Sequence, residues 1–270
     1  WPVPAAAAAL PVTGRAERGE PRPPARPGWR GGVLLLLALG SALLVYALGP
    51  LQQEQAYHAF ADSRRLLGVP NAWNVLSNLP FLLVGVLGVA FCLGPARGAR
   101  HRGWTLFFAA FALVAPGSAW YHLAPDDASL AWDRAPMALG FMALWIGLLA
   151  ERVSRPLADR LLLPALLLGA ASVVAWRLTG DLRAYVWVQF FPLLGIVALL
   201  VLYRGSERGA GLLWLALGCY ALAKVAEALD PALYAWSAAW VSGHTLKHLL
   251  AAGSGYLLLL RLRRSAPGPG

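Results

Sequence analysis

The sequence predicts an all-α integral membrane protein, a seven-transmembrane-helix bundle core with one extra N-terminal transmembrane helix. Hydrophobic residues make up 59% of the 270 residues and charged ones 13%, and the mean hydropathy is +0.57, far from the balance of a soluble globular domain. The apolar residues fall into eight runs, roughly at 33–49, 72–94, 104–122, 130–150, 161–176, 184–203, 211–228 and 238–260. Most approach the ~20 residues that a membrane-spanning helix needs. The basic residues alternate from end to end of these runs, as they do in a chain that crosses a bilayer repeatedly.

Taken in order, residues 1–30 are rich in Pro, Ala, Gly and Arg without apolar periodicity and read as a disordered cytoplasmic tail. Residues 31–50 read as the extra N-terminal transmembrane helix or a signal anchor. Residues 51–264 form the seven-helix domain, and 265–270 are a disordered C-terminus. The longest connection, LQQEQAYHAFADSRRLLGVPN at 51–71, is polar and reads as a partly helical lid. The other links are short.

The net charge of +10 follows topology. Arg15, Arg18, Arg22, Arg26 and Arg30 precede the first run, and Arg97, Arg100 and Arg102 follow the second. Arg152, Arg155 and Arg160 follow the fourth, Arg204 and Arg208 the sixth, and Arg261, Arg263 and Arg264 the last. The opposite ends hold Arg64, Arg65, Arg177 and Arg183. The positive-inside bias thus puts both termini in the cytoplasm, and the charge calls for no nucleic-acid partner. Trp120, Tyr121, Trp132, Trp176, Tyr185, Trp187, Tyr234, Trp236 and Trp240 gather at the outer level, where an interfacial aromatic belt is expected. Cys92 and Cys219 both lie in apolar runs, which indicates neither a disulfide framework nor a thiolate metal cluster.

The chemistry concentrates at that outer level. His244 and His248 in VSGHTLKHLLAAG are four residues apart, so their imidazoles share one helix face about one turn apart. His122 closes the third span at the same depth, and Asp133 lies just inside the outer end of the fourth. Zinc suits neutral imidazole, and three protein ligands with one open position mark a catalytic site, where bound water falls to a pKa of ~7. Ser118, one turn before His122, is placed to donate to an oxyanion or to bond back to its own helix. Asp133 costs about 2.5 to 3.5 kcal/mol if unpaired in hydrocarbon, so it needs a partner or a task. Arg134 is a poor partner for it, being on another face, and Asp133 beside an activated water is a proton carrier.

Other polar residues read as structural. Lys224 and Glu227 satisfy each other at i, i+3. Lys247 is expected on a different face from the two histidines, snorkelling or pairing elsewhere. His58 and His101, in loops, are expected to cap helices or bond carbonyls. Asp62, Asn71, Asn74, Ser77 and Asn78 offer oxygen ligands or caps; calcium at Asp62 and Asn71 is a candidate, although carboxylates there are few.

FADSRRLLGVPNAWNVLSNLPF, GSAWYHLAPDDASLAWDRAPM and SGHTLKHLLAAGS, in that order, resemble the alkaline ceramidase family, part of a superfamily of seven-span hydrolases and receptors that includes the progestin and adiponectin receptors. The resemblance covers roughly residues 55–262. It implies a seven-helix core holding zinc through His122, His244 and His248, with Ser118 and Asp133 as catalytic residues, and hydrolysis of the ceramide amide to a sphingoid base and a fatty acid. The family's calcium-binding members carry more acidic residues near the first core helix than Asp62 and Asn71 provide here.

Three functions compete: a zinc-dependent lipid amidohydrolase, a non-catalytic zinc-stabilised lipid receptor or sensor, and a metal-free serine hydrolase on Ser118, His122 and Asp133. The last leaves His244 and His248 without a role. The charge bias makes one testable statement on its own. A single cysteine introduced within 123–129 should react with a membrane-impermeant thiol reagent on intact cells, and reaction only after permeabilisation would reverse the topology.

Overall fold

The computed structural model describes residues 28–94, 101–203 and 209–265. Most of the expected tails, 1–27 and 266–270, lie outside the described residues, as do Arg97, Arg100, Arg204 and Arg208. Among the described residues the chain is helical, with one isolated bridge between Leu66 and Val69. The helices are α1 (Trp29–Ala47), α2 (Ala72–Leu76), α3 (Leu79–Leu93), α4 (Arg102–Leu123), α5 (Asp127–Arg152) and α6 (Arg155–Thr179). They continue with α7 (Arg183–Leu202), α8 (Ala210–Ala228), α9 (Asp230–Trp236) and α10 (Gly243–Arg264), and a 3₁₀ turn spans Gln55–His58.

Among the described residues, seven segments are long and apolar enough to cross a membrane: α1, α2 with α3, α4, α5, α6, α7 and α8. α10 is 22 residues long but carries His244, Lys247, His248 and three arginines, and so is the least apolar of the long helices. This is the architecture of a multi-pass membrane protein.

Helix ends explain where the runs were read too short or too long. α5 starts at Asp127 because Asp126 and Ser129 form a capping box, the Asp126 carboxylate accepting the Ser129 N–H at 2.6 Å. His101 caps α4 by accepting from Gly103 N at 2.9 Å, the role expected of it. α1 begins at Trp29, inside the stretch assigned to the tail. The run at 238–260 is the clearest misreading. Residues 230–236 form α9, Ala238 and Ala239 take positive φ of 51° and 64°, and α10 begins only at Gly243, capped by Ser242. Asp230 followed by Pro231 starts α9, a local signal that the apolar count overlooked.

α4 and α5 form the central antiparallel pair. α3 packs on α4, α10 on α3, and α8 on α10, while α6 and α7 pack on α5. α1 packs on α7, with Leu34 its buried residue and Trp187 Nε1 donating to Ser41 Oγ at 3.1 Å, as befits an extra peripheral helix. At the arginine-rich end Glu151 accepts from Trp104 Nε1 at 2.7 Å and pairs with Arg261 at 2.7 Å, joining α4, α5 and α10.

Lipid gives apolar helices little reason to prefer each other over the bilayer, so close packing and polar contacts hold such bundles together. Two glycines set the approach at the other end. Pro136 has no N–H for the Trp132 carbonyl, and Gly117 lies so near that freed oxygen that a Cβ would overlap it and sit 3.0 Å from the Trp132 carbonyl carbon. A Cβ on Gly243 would overlap the Ala226 carbonyl oxygen and lie 2.7 Å from Asp230 Cα. These glycines immediately precede Ser118 and His244, so backbone contact positions both side chains. Gly243→Ala should therefore cost about 1–3 kcal/mol, the range for overpacking, in detergent unfolding. Gly253→Ala, where a Cβ meets nothing within 4 Å, is the control expected to stay neutral.

Candidate metal centre

Where α4 ends and α2, α3, α5 and α10 begin, His122, His244 and His248 converge. Their ligand nitrogens all lie within 4.8 Å of one another, and all three side chains are buried. The ring centroids are 4.8, 5.0 and 4.8 Å apart with interplanar angles of 82°, 65° and 88°, so the imidazoles approach from different directions. The i, i+4 spacing brought two of them together as expected, and the α4·α3·α10 packing supplied the third.

Each histidine is held differently. His122 is fully buried, and neither ring nitrogen has a hydrogen-bond partner. Buried polar atoms are ordinarily satisfied, and an ion bound by the trio would satisfy one of these two nitrogens. His248 Nδ1 lies 2.7 Å from Ser77 Oγ. With the Ser77 proton directed to the Asn74 carbonyl at 3.2 Å, Nδ1–H donates to Ser77 and Nε2 keeps its lone pair, the usual arrangement behind a metal-binding imidazole. The His244 backbone N–H donates to Asp230 Oδ1 at 2.7 Å, which pins the start of α10. Among the described residues this trio is the group of His, Cys, Asp and Glu that could hold a metal ion.

Lys247 departs from its expected place. Its ammonium lies 2.8 Å from His244 Nε2 and 3.1 Å from Glu227, which also pairs with Lys224 as expected. Because Glu227 holds it independently, the ammonium keeps a carboxylate partner if His244 ligates an ion.

The segment 51–71 covers the trio. Phe60 places its ring 4.6 Å from that of His122 and 4.8 Å from that of His244. Ala61 N donates to Asp230 Oδ2 at 3.0 Å, so one carboxylate fastens both the covering segment and α10. The Tyr57 hydroxyl donates to Glu227 at 3.0 Å; burial, with that carboxylate beside it, pushes the hydroxyl well above its ordinary range and keeps it a donor. His58 contacts the Tyr121 hydroxyl and Asp127 at 3.0 and 3.1 Å rather than capping a helix. At the far end Leu51 N donates to Asp181, whose carboxyl the Arg183 hydrogen bond brings down to about 2.

Of the oxygen-bearing residues before α3, Asp62, Asn71 and Asn74 are committed to protein partners, while Asn78 Oδ1 is buried without one. Asp62 is buried and accepts three hydrogen bonds from Arg64. Burial pushes its carboxyl up, and Arg64 outweighs this and holds it below the ordinary carboxylate range. Asn71, in a left-handed conformation at φ 48°, donates to the His122 carbonyl at 2.8 Å. Asn74 donates to the Asp62 carbonyl at 3.3 Å and accepts from Thr245 at 3.1 Å. Asn71 thus ties the start of α2 to His122, and the Asp62 carbonyl holds Asn74 of α2 to the covering segment, which spacing alone did not reveal.

Ser118 and Asp133 are both buried. With His248 and Lys247 they form the polar end of a cavity of about 240 Å³ whose walls are largely apolar, Phe81, Phe111, Met137, Phe141 and Leu193 among them. α4, α5, α7, α8 and α10 enclose it, and Gln189 on α7 donates to the Tyr220 hydroxyl on α8 at 2.9 Å across it. The expected aromatic belt divides: Trp120, Trp132, Trp236 and Trp240 are exposed, while Tyr121, Trp176 and Tyr185 turn inward. Comparison with protein-family models and with curated protein sequences finds no match.

Ser77 acts on the centre only through His248. Ser77→Ala should weaken binding of a divalent ion by about 10–100-fold in a competition titration against a chromophoric chelator. Unaltered ion affinity would remove Ser77 from the centre.

Proposed function

We propose that the protein is a zinc-dependent membrane amidohydrolase that cleaves the amide bond of ceramide or a related lipid, releasing a fatty acid and a sphingoid base or amine. The observation that carries the reading is the buried imidazole trio, one of whose members, His248, lines the polar end of an apolar cavity. The motif resemblance to alkaline ceramidases, carried in part by the same three histidines, supports it.

Three neutral imidazoles without a thiolate suit zinc, and three protein ligands leave the open position typical of a catalytic site. Zinc held there supplies a Lewis acid for a carbonyl oxygen and activates water near neutral pH. The chain's own groups do the rest. The apolar walls receive the acyl chain and leave its amide at the polar end. The Ser118 hydroxyl, on the same face of α4 as His122, donates to the oxyanion that develops at the amide carbonyl. Asp133 accepts the proton of the attacking water and returns it to the leaving nitrogen, without which an amine leaves poorly. Phe60 keeps bulk water away from the opposite side of the histidines, which strengthens each of these polar interactions. The arginine bias of the sequence supports an outer-face position for this end of the bundle, with both termini cytoplasmic.

Metal analysis of the purified protein with a ceramide hydrolysis assay tests the reading. About one zinc per chain is expected, with fatty acid release abolished by chelation or by His244→Ala. Asp133→Ala should retain the metal and lose about 10²–10⁴-fold in rate. Zinc bound without turnover would favour the receptor reading. Turnover that survives chelation, with a covalent serine probe on Ser118, would replace both with a serine hydrolase.

A further inference from the structure

Arg134 lines the same cavity as Ser118, Asp133 and His248 and is less than a tenth exposed. A guanidinium stays charged at any accessible pH, and buried charges are ordinarily paired with an opposite charge. Arg134 is not. Among the described residues no carboxylate makes an ion pair with it, although Asp133 precedes it in sequence. Its Nη2 donates to the Gln53 side-chain oxygen at 2.6 Å, and the rings of Trp176 and Tyr185 lie 4.3 and 4.8 Å from its central carbon. Nη1 is buried and has no hydrogen-bond partner. The aromatic faces and the amide make the cation tolerable and fix the plane of its fork while leaving one donor nitrogen unused.

The surrounding charges point the same way. Glu227, the other carboxylate of the cavity, is shared by Lys224, Lys247 and the Tyr57 hydroxyl. The lining therefore holds Arg134, Lys224 and Lys247 against Asp133 and Glu227, an excess of positive charge before any metal is counted. An immobilised guanidinium with a free Nη is the geometry that recognises a carboxylate or phosphate.

We propose that Arg134 anchors an anionic group, carboxylate or phosphate, carried by the lipid amide that fills the cavity. The preferred substrates are then acidic N-acyl lipids, with the acid a few bonds from the amide that reaches Asp133 and Ser118. This rests on the amidohydrolase reading for the occupant being a lipid amide; the charge recognition stands on Arg134 alone.

The test is equilibrium binding to the full chain in a neutral detergent, comparing N-palmitoylglycine with N-palmitoylethanolamine, which share acyl chain and amide and differ in the carboxylate. The acid should bind the wild type about 10-fold or more tighter, the worth of a charge-assisted hydrogen bond. Arg134→Gln should abolish that preference, bringing the two affinities together, and Arg134→Lys should retain part of it. Equal affinities for the wild type would overturn the proposal, as would a preference that survives Arg134→Gln. If Arg134→Gln does not fold, the two ligands on the wild type decide the matter. Inorganic phosphate is the third arm: failure to displace N-palmitoylglycine puts the anion on the lipid, and displacement at micromolar phosphate overturns the lipid assignment in favour of a free anion. Binding is read without turnover, so a clear acid preference without hydrolysis removes the amidohydrolase and leaves the anchor in place.

Discussion

A polar group taken out of water among apolar helices must find a partner nearby or cost several kcal/mol. That constraint organises the end of the bundle where α4 stops and α10 starts. Asp230, Asn71, Asn74 and Ser77 each satisfy backbone or side-chain groups from two or more elements. Among the described residues at this end, the buried atoms left without a hydrogen-bond partner are the His122 ring nitrogens, Arg134 Nη1 and Asn78 Oδ1. The same scarcity of water that forces pairing elsewhere makes those atoms strong binders of what they lack.

Rigidity at this end comes from backbone contacts. Gly117 against the Trp132 carbonyl and Gly243 against Ala226 and Asp230 bring helix axes close with no side chain between them. The residues that follow, Ser118 and His244, inherit their positions from main chain, which moves less than rotamers do. Side chains then refine the orientation, as Ser77 does for His248.

Much of this was legible in the sequence, and the reason is periodicity. Apolar runs of about twenty residues announce spans whatever their neighbours, and an i, i+4 histidine pair shares a helix face by construction. Depth counted from span ends placed His122 and Asp133 beside that pair. Lateral relations carry no such signal. Nothing in the spacing says that Phe60 from a distant loop covers the histidines, that Asp230 fastens two segments, or that Lys247 leans onto His244 instead of away from it. Trp176 and Tyr185 read as belt residues because an aromatic at a helix end looks alike whether it faces lipid or wraps Arg134. The region before α10 was misread for a related reason: an apolar count registers composition and is blind to Asp230–Pro231, which starts a separate short helix.

The peripheral packing of α1 has a consequence for how the chain assembles. The Trp187 to Ser41 hydrogen bond joins residues separated by 146 positions. At ~5–20 residues per second, synthesis of that interval takes roughly 7–30 s. α1 thus sits in the bilayer without the partner it packs on while α4 and α5, separated by a three-residue turn, can pair as they emerge. The histidine centre is later still, because its second and third members arrive with the final helix. Any metal is therefore captured by a bundle whose other walls already exist, and insertion of α10 is the step that converts a stack of helices into a binding site.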